Sequence, residues 1–179
     1  MSNQYLITAK ELYNALEDVL FDPRAQKAFA RVMPDSSITI SDLLKHDSMR
    51  FMLHIAMADE EITQREANVI NYMTGQMLTV RALRREARKY RRAMSNPILD
   101  VPQLVRVVCL VDNTLAQDPT IDYSTSFLNL VVAYFKNLGF GMMDIYPSDA
   151  EQELKRISAN IQNINKYASC YSRSAFYAE

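Results

Sequence analysis

Three times along this chain a Ser or Thr stands three residues ahead of a Glu, and each time apolar residues follow at the helical period: Thr8 with Glu11, Thr63 with Glu66, Ser148 with Glu151. In such a pair the hydroxyl takes the amide of the third helical residue while the carboxylate reaches back to the cap amide, so two orphaned N–H groups are satisfied together. The spacing predicts a helix opening at each point. The first would bury Leu12, Ala15, Leu16, Val19 and Leu20, the second Val69, Ile70, Met73 and Met77, and the third Leu154, Ile157, Ile161 and Ile164. Asp22 before Pro23 gives a fourth start, with proline where its missing N–H costs nothing, and that helix runs to about Met33. Three glycines in 179 residues leave little room for tight turns, which again points to helices. Gly75, Gly139 and Gly141 form no phosphate-cradling pattern, so a P-loop or a dinucleotide crossover is excluded.

Between these starts, "SSITIS" reads as an extended turn, and residues 41–58 as a helix with Leu44, Phe51, Met52, Ile55 and Ala56 inward. Val80, Leu83, Ala87, Tyr90 and Met94 make a narrow apolar stripe on a helix whose other faces carry arginine. "VPQLVRVVCLVDNTLAQ" is β-branched enough to suit a buried strand. Its length, an Asp100 cap and the lack of a partner strand favour a helix. "STSFLNLVVAYFKNLG" is apolar on most faces, suits the centre of a core, and is expected to stop at Gly139. The Tyr- and Ser-rich residues 167–179 read as a tail after a single domain over 1–166, since no linker rich in Pro, Gly or Ser divides the chain.

The formal charge of −1 conceals an asymmetry. Arg81, Arg84, Arg85, Arg88, Lys89, Arg91 and Arg92 face one acid, Glu86, within twelve residues. Arg81, Arg85, Arg88 and Arg92 recur at spacings of four, three and four, so they share a helix face and concentrate positive field there. Such a stripe is either a solvated face or a dock for an anionic partner: a protein, or an anionic lipid surface. Nucleic acid is disfavoured, because aromatic interleaving and a basic overall balance are missing. Two cysteines and two histidines give neither a disulfide framework nor a zinc spacing, no nucleophile and base stand at a catalytic spacing, and no signal peptide or membrane-spanning run is visible. A non-enzymatic protein of the reducing cytoplasm is the expectation.

The segment "AMADEEITQREANVINYM" has a counterpart 59 residues on, where "QDPTID" lies beneath "ADEEIT" and pairs Asp118 with Asp59 and Asp122 with Thr63. The offset predicts a duplicated helical hairpin, each copy a helix, an acidic turn and a capped helix. "MLHIAMADEEITQREANVINYM" resembles the motif of the tellurite-resistance TerB and TerB-like family, and "LVDNTLAQDPTIDYSTSFLNLVVAYFKNLG" its second, weaker motif, together covering about residues 45–140. The resemblance implies an all-α, pseudo-duplicated bundle of about seven helices without catalytic residues, found in intracellular stress-response and membrane-associated complexes. It also implies a divalent cation bound through acids of the turns. Carried onto this chain, the family's turn Asp falls on Asp59 and Asp118, and its helix-start Glu on Glu66. Glu60 stands where the family has Gly, and Thr125 where it has a second Glu.

The residues themselves support two readings of the turn. Asp59, Glu61 and Glu66, joined by Asp118 and Asp122 if the turns meet, would hold calcium or magnesium weakly with water completing the shell. Alternatively, the same acids only cap and flank a helix N-terminus. The functional expectation is a binding or sensing module of a bacterial stress-response type complex; the alternative is an immunity or accessory protein of a toxin or secretion system that keeps the scaffold without the metal.

Overall fold

The computed structural model describes residues 4–33, 37–57, 60–94, 101–116, 127–143 and 147–176. Among these residues the chain forms eight helices and no strand: α1 Gln4–Leu20, α2 Pro23–Val32, α3 Ile40–Ala56, α4 Gln64–Thr74, α5 Val80–Met94, α6 Gln103–Ala116, α7 Phe127–Met142 and α8 Pro147–Phe176. The all-α expectation holds, including the β-branched stretch that becomes α6.

The core is built on α3 and α7, which cross each other and are covered by α1, α6 and α8. Phe51 of α3 meets Phe135 of α7 with ring centroids 5.1 Å apart, and Leu44, Met52, Ile55, Val131 and Leu138 are fully enclosed around them. Each such side chain contributes about 1.5–3 kcal/mol by leaving water. Two buried hydroxyls of this core, those of Ser48 and Tyr134, are paired. Ser48 donates to the Leu44 carbonyl at 2.6 Å, which turns its oxygen towards Tyr134, whose hydroxyl donates to it at 2.7 Å. Burial drives the Tyr134 hydroxyl well above its ordinary pKa, so it stays protonated as that donor.

Several helix boundaries differ from expectation for physical reasons. Only Thr63 and Glu66 form their expected reciprocal cap, the Thr63 amide donating to the Glu66 carboxylate at 2.6 Å. Thr8 lies inside α1, because residues 4–7 are themselves competent to be helical, and the line that α1 buries is Ala9, Tyr13 and Leu16 rather than the set centred on Leu12. Helix α8 opens on Pro147, and Glu151 pairs forward with Lys155 at 2.7 Å instead of capping. A further reciprocal cap is present at α3, where Asp42 takes the role that the longer Glu has elsewhere and accepts from the Thr39 hydroxyl at 2.6 Å.

Gly75 ends α4 in the left-handed region with φ 68°, so Met77, expected inside, stands beyond the helix and is 96% exposed. Gly139 does not stop α7. The helix runs on to Met142, and the missing side chain lets Ile157 of α8 and Phe51 pack against it. Helix α8 likewise continues through residues expected to form a tail.

Candidate functional site: the acidic turn and the arginine face of α5

The acidic turn joins α3 to α4. Its described part is Glu60 to Thr63, with Ile62 buried as the anchor and Glu61 exposed. Glu60 has φ 72°, a left-handed conformation that costs a residue with a Cβ about 1–2 kcal/mol. This is the position where the TerB-like motif has glycine. Glu66 is buried and its carboxylate is occupied by the Thr63 amide.

No group of three His, Cys, Asp or Glu side chains gathers among the described residues. Asp59, Asp118, Asp122 and the whole second turn lie outside the described residues, and so does the proposed Asp100 cap. The helix pairs that the predicted duplication would relate are α3–α4 and α6–α7, and the second bend lies outside the described residues.

Helix α5 lies against α3 and α4. Leu83 and Ala87 are buried, with Val80 and Tyr90 at the edge of the same stripe, while Arg81, Arg85 and Arg88 are exposed. None of these three makes an ion pair among the described residues, whereas Lys89 is tied to Glu86 at 2.7 Å. The side chain of Arg92 lies outside the described residues. Arg84 behaves differently from its neighbours. It turns inward and reaches the Ile62 carbonyl at 3.5 Å, so the basic helix is pinned to the acidic turn. This contact between turn and helix is one that spacing along the sequence did not reveal.

What sequence reading missed altogether is a set of charged side chains that finish helices distant in the chain. Asp47 of α3 is buried and accepts the Leu104 amide at 2.7 Å, supplying the N-terminus of α6 with a side-chain acceptor that Pro102 cannot offer. Asp112 of α6 accepts the Leu128 amide at the start of α7 at 3.2 Å. Cations close the opposite ends: Arg65 donates to the Met143 carbonyl after α7 at 2.8 Å, and Arg156 to the His54 carbonyl in the last turn of α3 at 2.7 Å.

The histidines take opposite characters. His46 is half-exposed, sits edge-on to Tyr90 with centroids 5.5 Å apart, and has Nδ1 3.6 Å from the Asp47 carboxylate, whose hydrogen bond raises its pKa. Burial, then the positive charges of Arg156 and Arg50, lower His54 to about 4. The Cys109 thiol is pushed up to about 11 by burial and by Asp112, which makes it a core group and not a thiolate. No family model matches the chain, and no match is found among curated proteins or solved structures. No helix among the described residues is long and apolar enough to cross a membrane.

Proposed function

We propose that this chain is a non-catalytic, TerB-like helical module of a cytoplasmic stress-response type complex that docks an acidic protein partner on the arginine ridge of α5. One observation carries it: Arg81, Arg85 and Arg88 stand exposed and make no ion pair among the described residues, while Arg84 of the same helix turns inward to the Ile62 carbonyl. Arginine at a solvated, purely structural face gains by pairing locally with acids, as Lys89 does with Glu86. Three exposed guanidinium groups on one helix instead offer steering and bidentate contacts to carboxylates. The left-handed Glu60 supports the TerB-like kinship, since the backbone there is one that glycine adopts without strain.

Affinity capture from the native cell with the full chain, beside an R81E/R85E/R88E variant of unchanged thermal stability, tests it. An acidic protein retained by the parent and lost by the variant is the expected result. Identical captures by both proteins would overturn the role of the ridge. A divalent cation enters as a modulator through Asp59 and Glu61, since Glu66 is engaged in the cap. Titrating calcium, magnesium and manganese while following amide shifts decides this; silence at Glu61 and its neighbours at millimolar metal removes the cation.

A further inference from the structure

The hairpin that joins α4 to α5 is held rigid, and yet it pushes a methionine into water. Asn71 grips Leu78 twice, its Nδ2 donating to the carbonyl at 2.8 Å and its Oδ1 accepting the amide at 2.9 Å. Gly75 donates to the Asn71 carbonyl at 2.9 Å from its left-handed position, and Thr79 caps α5 by accepting the Ala82 amide at 3.2 Å. Met77, between these fixed points, keeps 96% of its surface exposed. Tyr72, 55% exposed, flanks the hairpin, with the Lys10 ammonium 5.9 Å from its ring centre.

Between α4 and the start of α5 runs a shallow groove of about 770 Å³, with Gln64, Asn68, Tyr72, Met77 and Arg81 among its lining residues. Tyr, Met and Arg are the residue types enriched where proteins meet.

We infer that this groove binds an acidic peptide segment of the partner, in which an apolar side chain lodges between Tyr72 and Met77 while flanking carboxylates meet Arg81 and Arg85. The inference rests on α5 being the docking helix and adds the apolar anchor and the form of the ligand. The Gln64 carboxamide donates to the Asn68 oxygen at 3.0 Å, which turns the Gln64 oxygen and the Asn68 N–H groups to the complementary groups of a peptide backbone. Charge complementarity specifies acids, with Arg81 lining the groove and Arg85 and Arg88 one and two turns further along α5. Single-stranded nucleic acid would want successive stacking platforms, and only Tyr72 supplies an aromatic face here. A lipid surface is flat, and a groove walled by amides offers it nothing.

The test pans a displayed library of random dodecapeptides on the immobilised full chain, then titrates the recovered peptides by fluorescence anisotropy. Acid-rich peptides with a central apolar residue should be recovered. Their binding should weaken at least tenfold with Met77→Asp and with Tyr72→Ala, both solvent-facing changes that leave the thermal midpoint in place, and should fall with added salt. Acid-rich peptides that depend on Arg81 and Arg85 but ignore Met77→Asp and Tyr72→Ala would overturn the groove while leaving the ridge standing. Recovery without acidic bias would overturn both. Tighter binding of an oligothymidylate, or of phosphatidylserine vesicles, would replace the peptide by that ligand.

Discussion

Replacing Asp47 by Ala removes a side-chain oxygen that caps the first turn of α6. The buried carboxylate accepts the Leu104 amide at 2.7 Å. A hydrogen bond to a charged group contributes about 1.5–3 kcal/mol, and its loss strands a buried N–H as well. The anion's attraction to the helix N-terminus, up to ~2 kcal/mol when partly buried, is in part the same interaction. Allowing for that overlap, Asp47→Ala should cost about 3 kcal/mol, a fall of about 6–12 °C in Tm for a chain of this length. Asp47→Asn keeps an acceptor without the charge and should cost about 1 kcal/mol. Urea unfolding supplies the energies, and hydrogen exchange supplies the location, since protection should drop first at Leu104. A further signature follows from His46, whose pKa is raised in the folded chain by its hydrogen bond to Asp47. Its contribution is fully present below the unfolded value near 6.5 and is lost as pH rises through the higher folded value, so either Asp47 variant should erase that slope. Equal losses for Asn and Ala, or a loss under ~0.5 kcal/mol for Ala, would refute the capping role.

Three other outcomes follow. His54, lowered to about 4, favours the folded state fully above pH 6.5 and loses that contribution as pH falls towards 4; removing it with His54→Gln should flatten an acid-side decline of roughly 3 kcal/mol in stability measured against pH. Glu60→Gly relieves a left-handed backbone at the cost of unfolded-state entropy, for a net gain of about 0.5 kcal/mol in urea unfolding; a loss would mean that the side chain of Glu60 contributes more than its backbone costs. Gly141→Ala would bring a Cβ within 2.8 Å of the Leu6 Cγ, and overpacking should outweigh the gain in helix propensity by about 1 kcal/mol; thermal melts read it, and a raised Tm would mean that α1 shifts freely.

The helices were legible because amphipathic periodicity is local. Leu83 and Ala87 on α5, or Phe51, Met52 and Ile55 on α3, lie on buried faces that can be read from spacing alone. Starts were less legible. Thr8-x-x-Glu11 satisfies the capping pattern, but a pattern says nothing of whether the preceding residues are already helical, as Gln4–Ile7 are. Met77 fitted the period of α4 and was misplaced because Gly75 ends the helix before that period reaches it. The charged caps were invisible in principle, since Asp47 and Leu104 are 57 residues apart, Arg65 and Met143 78, and Arg156 and His54 102. Of the candidate site, the exposure of Arg81, Arg85 and Arg88 was legible, but the inward turn of Arg84 was not, because it depends on where Ile62 lies in space.

The most direct measurement of the docking claim is a titration of the isotopically labelled full chain with a recovered acidic peptide, followed by backbone amide and arginine side-chain NMR. Shifts should concentrate on Gln64, Asn68, Tyr72, Met77, Arg81 and Arg85 and should vanish in the R81E/R85E/R88E variant. Shifts gathered instead around the separate cleft between α2 and the start of α3, near Phe29, Met33 and Lys45, would contradict it.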